Sequence, residues 1–224
     1  LHAVYRVGDM DDSIAYYRDT LGMKLLRFRD IKEQVDTKVD KEDKHSLFVL
    51  WQQTLNAQTL TLKKKTTKNA LTIIKQEKYS NAFLGYGPED KNFALELTYN
   101  YGVDSYDLGT GFGHFALASR DVAGVVTKVK AAGRKVSRDA GPVKGGKTVI
   151  AFVDDPTGYK WELIERPTVD AETGEKAKEI TEPIAQVMLR VTDLDKSIKY
   201  YTECLGMRLL RKRENPEYKY TLAF

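Results

Sequence analysis

The stretch Arg6–Arg29, RVGDMDDSIAYYRDTLGMKLLRFR, returns 184 positions later at Arg190–Arg213 as RVTDLDKSIKYYTECLGMRLLRKR. Fifteen of the 24 aligned pairs are identical, including Asp9/Asp193, Ser13/Ser197, Tyr16-Tyr17/Tyr200-Tyr201 and Gly22/Gly206. Identity at that density over an unbroken block is internal duplication, and it governs how everything around it is read. Just past the block the register breaks and then returns, because Lys78–Phe83 (KYSNAF) matches Lys219–Phe224 (KYTLAF) at an offset of 141. The difference between 184 and 141 is a 43-residue insertion in the first copy, at about 33–76. The second copy reaches only Phe224, so it reads as truncated relative to the first.

Each copy has the same local plan. His2–Val7 mixes branched and aromatic residues as a strand does, Asp11-Asp12-Ser13 offers helix-capping chemistry, Ile14, Tyr17 and Leu21 follow at helical spacing, and Gly22 can close the helix. Met23–Arg29, Tyr79–Leu84 and Phe93–Thr98 then read as three strands, giving a β-α-β-β-β unit. A second unit follows, with strand His114–Ser119, helix Val122–Ala132 closed by Gly133, and strands Lys135–Arg138, Thr148–Asp154 and Tyr159–Glu165. The polar segment 167–182 reads as a linker, and a third unit opens at Ile184. The expectation is an α+β protein of paired βαβββ modules. Residues 1–166 form one domain, made of module one (1–103, with its insertion) and module two (109–166), and 183–224 begin a second domain.

Composition narrows the function classes. The 224 residues are 42% hydrophobic and 30% charged, as in a soluble globular protein, and no apolar run reaches the roughly 20 residues that span a bilayer. The net charge is +4, yet residues 34–76 hold 8 Lys against 4 acidic residues, so the surplus belongs to the insertion and the repeated scaffold is neutral. That distribution argues against a nucleic-acid partner. The insertion itself, with its Lys63-Lys64-Lys65 cluster, reads as a solvated excursion in preference to an interaction loop. The single cysteine, Cys204, excludes an intramolecular disulfide framework and suits a reducing compartment, the cytoplasm, or a plastid if a transit peptide is missing from this chain.

Two of the three histidines, His2 and His114, open corresponding strands of the two modules, and the last strand of each module carries a glutamate between apolar neighbours, Leu95-Glu96-Leu97 and Trp161-Glu162-Leu163. Side chains alternate along a strand, so each glutamate faces away from its leucine neighbours, and a carboxylate in such a setting needs a partner. Two His and two Glu at repeated positions suit a divalent cation. The third unit has Gln186, an oxygen donor, where the first has His2. His45 lies in the insertion and reads as non-functional.

Three segments, GTGFGHFALASRD at 109–121, ELTYN at 96–100 and GPVKGGKTVIAF at 141–152, closely resemble glyoxalase I (lactoylglutathione lyase), a member of the vicinal oxygen chelate superfamily. The Gln186–Met207 segment resembles a further signature of that family, and the duplication resembles its two-domain, plant-type form. The resemblance implies isomerisation of the hemithioacetal of methylglyoxal and glutathione to S-lactoylglutathione. It implies one divalent metal, Ni(II) favoured over Zn(II), that stabilises the charge created when a glutamate removes a carbon-bound proton. Carried over by position, the metal ligands are His2, Glu96, His114, Glu162 and, in the third unit, Gln186. Glu162 is the expected base, with Glu96 the equivalent glutamate of module one. Arg6, Asn100, Lys144 and Lys147 fall at glutathione-binding positions. The resemblance also implies that sites assemble between modules: module two pairs with module three and module one with a fourth, or else modules one and two pair across a homodimer. Two alternatives stand beside the enzyme reading. One is a catalytically inactive, metal-binding paralogue. The other is a different metal-dependent enzyme of the same superfamily, which the GPVKGGKTVIAF and ELTYN matches argue against.

Overall fold

The computed structural model describes residues 2–31, 35–37, 73–75, 78–169 and 173–224. Strand β1 (His2–Arg6) leads into helix α1 (Met10–Ala15), which widens into a π-helical turn at Tyr16–Thr20 and ends at Gly22, φ +77°. The cap is Asp9, two residues before the Asp11-Asp12-Ser13 run. Its carboxylate accepts the Asp12 N–H at 2.9 Å, while the Ser13 hydroxyl donates back to the Asp9 carbonyl at 2.5 Å. Strands β2 (Lys24–Ile31), β5 (Tyr79–Gly85) and β6 (Ala94–Asn100) complete module one. Between β2 and β5, two short strands, β3 (Val35–Thr37) and β4 (Ile73–Lys75), pair antiparallel. The stretch 38–72, most of the insertion, lies outside the described residues.

Module two repeats the plan. It comprises β7 (Phe112–Ser119), α2 (Val122–Ala131) capped by Asp121, β8 (Val136–Pro142), β9 (Val149–Asp154) and β10 (Lys160–Glu165). The third unit supplies β11 (Ile184–Leu189), α3 (Leu194–Lys199) with its own π-helical turn at Tyr200–Cys204, and a hairpin of β12 (Lys212–Asn215) and β13 (Tyr220–Ala223).

Sheet one runs β1-β6-β5-β2 and sheet two β11-β7-β10-β9-β8. In each, a module's first and last strands are parallel neighbours (β1 with β6, β7 with β10) and the remaining pairs are antiparallel. The strand that opens the third unit thus does not start a sheet of its own. It closes the edge of β7, where Gly113 allows the approach: a Cβ there would lie 2.8 Å from the Met188 carbonyl oxygen and collide with the Met188 side chain.

One apolar cluster spans both modules, drawing Tyr5, Leu95 and Leu97 from sheet one, Phe115, Leu117, Trp161 and Leu163 from sheet two, and Tyr17 and Val126 from the helical segments. A buried polar lock joins the two halves. The Asp155 carboxylate, in the turn after β9, accepts the hydroxyls of Tyr17 (2.5 Å) and Tyr5 (3.1 Å) from module one, and the backbone N–H groups of Thr157, Gly158 and Tyr159 from its own turn. Burial pushes Asp155 up to about 6 against the pull of those donors. At its neighbour Asp154, burial acts in the same direction, but Lys135, Ser137 and Lys160 outweigh it and hold that carboxylate below its ordinary value. The polar segment between modules two and three is tied down as well: Asn92 donates to the Thr181 carbonyl and the Phe93 N–H to the Glu182 carboxylate. No helix among the described residues is long and apolar enough to cross a membrane.

Candidate functional site

Strand alternation decides what each module shows to the outside. In β1, Tyr5 turns into the core with Val7 beyond it, so His2, Val4 and Arg6 face outward, Val4 at 54% exposure. The parallel register sets Val4 against Glu96 and Arg6 against Thr98, which puts Glu96, Thr98 and Asn100 on the same outward face. There His2 Nε2 lies 3.2 Å from Glu96 Oε2. Asn81 on β5 holds the glutamate in place, its amide donating to Glu96 Oε1 at 3.0 Å and to Thr98 Oγ1 at 2.9 Å. The Phe83 ring meets the His2 ring edge-on at 6.0 Å.

Module two repeats this geometry. His114 Nε2 lies 3.2 Å from Glu162 Oε2, and Phe152 meets the His114 ring edge-on at 5.4 Å. In place of the asparagine, the supporting amide comes from the third unit: Gln186 on β11 donates to Glu162 Oε2 at 3.3 Å. The pairs differ in shelter. The His2 side chain is 50% exposed and His114 only 12%, because β11 lies along β7 and no described strand lies along the outer edge of β1.

His114 Nε2 is buried and makes no hydrogen bond, despite the carboxylate oxygen 3.2 Å away. A buried imidazole nitrogen beside a carboxylate, with no N–H aimed between them, is left short of a partner. A cation held by both atoms supplies one, and imidazole nitrogen with carboxylate oxygen is a donor set that suits Zn, Ni, Co or Fe. The site therefore fits a divalent ion; Gln186, whose N–H now donates to Glu162, would become a further donor by turning its amide oxygen inward, and Asn81 orients Glu96 in the other pair.

The four residues that the repeat nominates for one ion, His2, Glu96, His114 and Glu162, do not meet. They form two half-sites, and among the described residues no group of three or more His, Cys, Asp or Glu is placed to hold a metal. The reason is the shared core, since each sheet turns one face into it and its His–Glu pair away from it. The expected substrate-binding residues divide in the same way. Arg6 and Asn100 stand on the face of module one, where the Asn100 amide donates to the Tyr106 hydroxyl at 3.0 Å. Lys144 and Lys147 are exposed in the loop between β8 and β9, and the Lys144 ammonium meets the Glu217 carboxylate at 2.6 Å.

Sequence reasoning missed Asn81, Phe83, Phe152 and Arg190. The last stands 184 positions beyond Arg6 and donates to the Thr110 carbonyl at 3.1 Å, beside the strand that bears His114. The repeat offset alone could have nominated Arg190. The other three are set by strand register: Phe83 lies opposite Glu96 and Phe152 opposite Glu162.

Residues 1–163 and 183–224 match the family model described as "Glyoxalase/Bleomycin resistance protein/Dioxygenase superfamily". The chain is 53% identical over its full length to a probable chloroplastic lactoylglutathione lyase of Arabidopsis thaliana, covering 48% of it. Over 165 residues, 74% of this chain, it is 42% identical to the lactoylglutathione lyase of Salmonella typhimurium, covering 90% of that protein. The crystal structure of glyoxalase I from Zea mays superposes with a TM-score of 0.72 at 48% identity, across all of this chain and 60% of the maize chain. The chain thus spans about half the length of its plant relative, and most of the bacterial one.

Proposed function

The chain belongs to the glyoxalase/bleomycin resistance protein/dioxygenase superfamily and, within it, to the glyoxalase I family; on that premise we propose that it isomerises the hemithioacetal of methylglyoxal and glutathione to S-lactoylglutathione, a methylglyoxal detoxification, at the site built around His114 and Glu162. The observation that carries the reading is the twinned His–Glu pair at 3.2 Å, with an unbonded imidazole nitrogen in its more sheltered copy. His114, Glu162 and Gln186 would hold the ion there, and His2 with Glu96 would hold one on module one. A bound divalent cation, Ni(II) in preference to Zn(II), supplies Lewis-acid stabilisation of negative charge on the substrate's two oxygens.

The proton moves through this chain's own residues. Glu162 takes it from the carbon that bears sulfur and returns it to the neighbouring carbon, and Glu96 is the equivalent base on module one. Phe152 walls the His114 side of the site and the β11 strand closes its edge, so the carboxylate works in a partly dried setting where charge interactions are stronger. Arg6 and Asn100 bind glutathione on module one, and Arg190 offers the same guanidinium chemistry beside module two. Lys144 and Lys147 close over the substrate, which requires Lys144 to exchange Glu217, a solvent-screened surface partner, for a substrate carboxylate. The exposed, unpaired Cys204 suits work in a reducing compartment, cytoplasm or plastid.

The test is turnover of methylglyoxal with glutathione by metal-stripped protein before and after addition of Ni(II) or Zn(II). Metal-dependent formation of S-lactoylglutathione is expected, with a loss of at least about 100-fold in Glu162→Gln. No turnover with either metal would leave the second reading, a metal-binding but non-catalytic chain. That reading is favoured by the donor count: each half-site has only one His and one Glu among the described residues.

A further inference from the structure

Strand β11 changes face partway along its length. Ile184 pairs with Leu117 and Gln186 with Ala116, so two steps on β11 answer one on β7, and Ala185 is the extra residue of a β-bulge. Ile184 turns into the shared core, at 9% exposure, and with unbroken alternation Gln186 would follow it. The bulge sends Gln186 to the opposite face, in one row with Ala116 and with Glu162, the partner of Ala116 on β10. There its amide donates to the Glu162 carboxylate at 3.3 Å. A regular ladder continued from Ile184 would instead set Ala185 against Ala116 and Gln186 against Phe115, a core residue. The site-facing Gln186 therefore has a competing register one residue away, and the ladder does little to exclude it, because a second irregularity follows between Met188 and Leu189.

What holds the bulge lies just upstream. Glu182 uses both carboxylate oxygens: the Phe93 N–H, in the turn of module one that leads into β6, donates to Oε2 at 2.7 Å, and the Ile184 N–H donates to Oε1 at 3.2 Å. Its chain neighbours are fixed as well. The Asn92 amide donates to the Thr181 carbonyl at 3.1 Å and the Ala118 N–H to the Pro183 carbonyl at 2.7 Å. An ionised acceptor makes the two Glu182 bonds the stronger kind of backbone hydrogen bond. The far end of β11 is tied to module two, where Arg190 N–H donates to the Gly111 carbonyl at 2.8 Å, but that anchor lies beyond the second irregularity.

We propose that Glu182 is a positioning residue for the site on module two: its carboxylate fixes the Ala185 bulge against module one and so turns the Gln186 side chain onto Glu162. This rests on reading His114, Glu162 and Gln186 as one site, as the proposed function does. Glu182 acts wholly through Gln186. Without it, β11 is free to drop the bulge, which takes the Gln186 amide off the site face and leaves the Glu162 carboxylate without the bond that orients it. The site on module two thereby depends on a turn that belongs to module one.

The first test needs neither metal nor turnover. In the NMR spectrum of the metal-free 224-residue chain, the side-chain amide of Gln186, identified by its loss in Gln186→Ala, should shift when Glu162→Gln removes the charge it donates to. In Glu182→Ala that response should vanish. The second test is affinity for Ni(II) or Zn(II). Glu182→Ala should lose about 10-fold or more, while Glu182→Gln, which keeps an oxygen to accept both N–H groups, should stay close to the parent. Beside Gln186→Ala, Glu182→Ala should add no further loss, a coupling that a merely structural role would not show. A Gln186 amide that still answers to Glu162 in Glu182→Ala, equal losses in the two Glu182 variants, or a loss that adds in full to that of Gln186→Ala would overturn the proposal. Coupled losses of metal affinity in a chain without turnover would support the role of Glu182 and count against the proposed function. Metal-dependent turnover that Glu182→Ala leaves untouched would overturn that role and leave the proposed function standing.

Discussion

The two copies of the 24-residue repeat have nearly the same local structure and opposite environments. Asp9 and Asp193 each cap a helix through a 2.9 Å bond, both helices widen into a π-helical turn, Gly22 and Gly206 both take positive φ, and Met23 and Met207 each donate back to the second tyrosine of the turn at 3.0 Å. In the first copy Val7 and Met23 are 0% and 1% exposed; their counterparts Val191 and Met207 are 43% and 59% exposed. The first copy packs against its own sheet and against module two, whereas the helix of the second buries no residue among those described. Local geometry follows local sequence, and burial follows whatever the chain brings alongside.

Paired substitutions should pull that contrast apart. The largest difference is expected for Met23→Ala, which empties a fully buried site and should cost about 2–5 kcal/mol in denaturant unfolding, against a change within about 0.5 kcal/mol for Met207→Ala. Equal losses at both positions would mean that the third unit is covered in solution.

Tyr17 but not its counterpart is built into the buried lock, and this gives a pH signature. The Asp155 carboxyl is raised from an ordinary value near 4 to about 6, so between those values the folded chain holds a proton that the unfolded chain releases. The contribution of this group to stability is therefore greatest below that window and declines as pH rises through about 6. Asp155→Asn cannot ionise and should flatten that part of the stability profile, read as melting temperature at pH 4.5 to 7.5 against the parent. The same fall in both proteins would assign it to other groups.

The smallest effect expected is at the caps. Asp9→Ala should cost roughly 1 kcal/mol of global stability, and Asp193→Ala, capping a helix with no buried residue, should leave global unfolding unchanged while lowering amide-exchange protection in α3.

Read without any structure, the sequence determined the repeat, the β-α-β-β-β order, the insertion with its surplus of lysines, and the pairing of His2 with Glu96 and His114 with Glu162. Those follow from residue spacing, strand alternation and turn chemistry, all short-range or repeated signals. The repeat put Gln186 at the position of His2 in its own unit; that it reaches Glu162 of module two is a tertiary contact, which only the family resemblance implied beforehand. The sequence misplaced the first cap, since three consecutive polar residues offered capping chemistry and only backbone geometry selects Asp9. Tertiary structure alone decided that the two pairs face away from a common core, that β11 closes the edge of β7 while the edge of β1 has no described neighbour, and that Asn81 supports one glutamate and Gln186 the other. These depend on which strands lie side by side and in what register, contacts between residues far apart in the chain that no local pattern encodes.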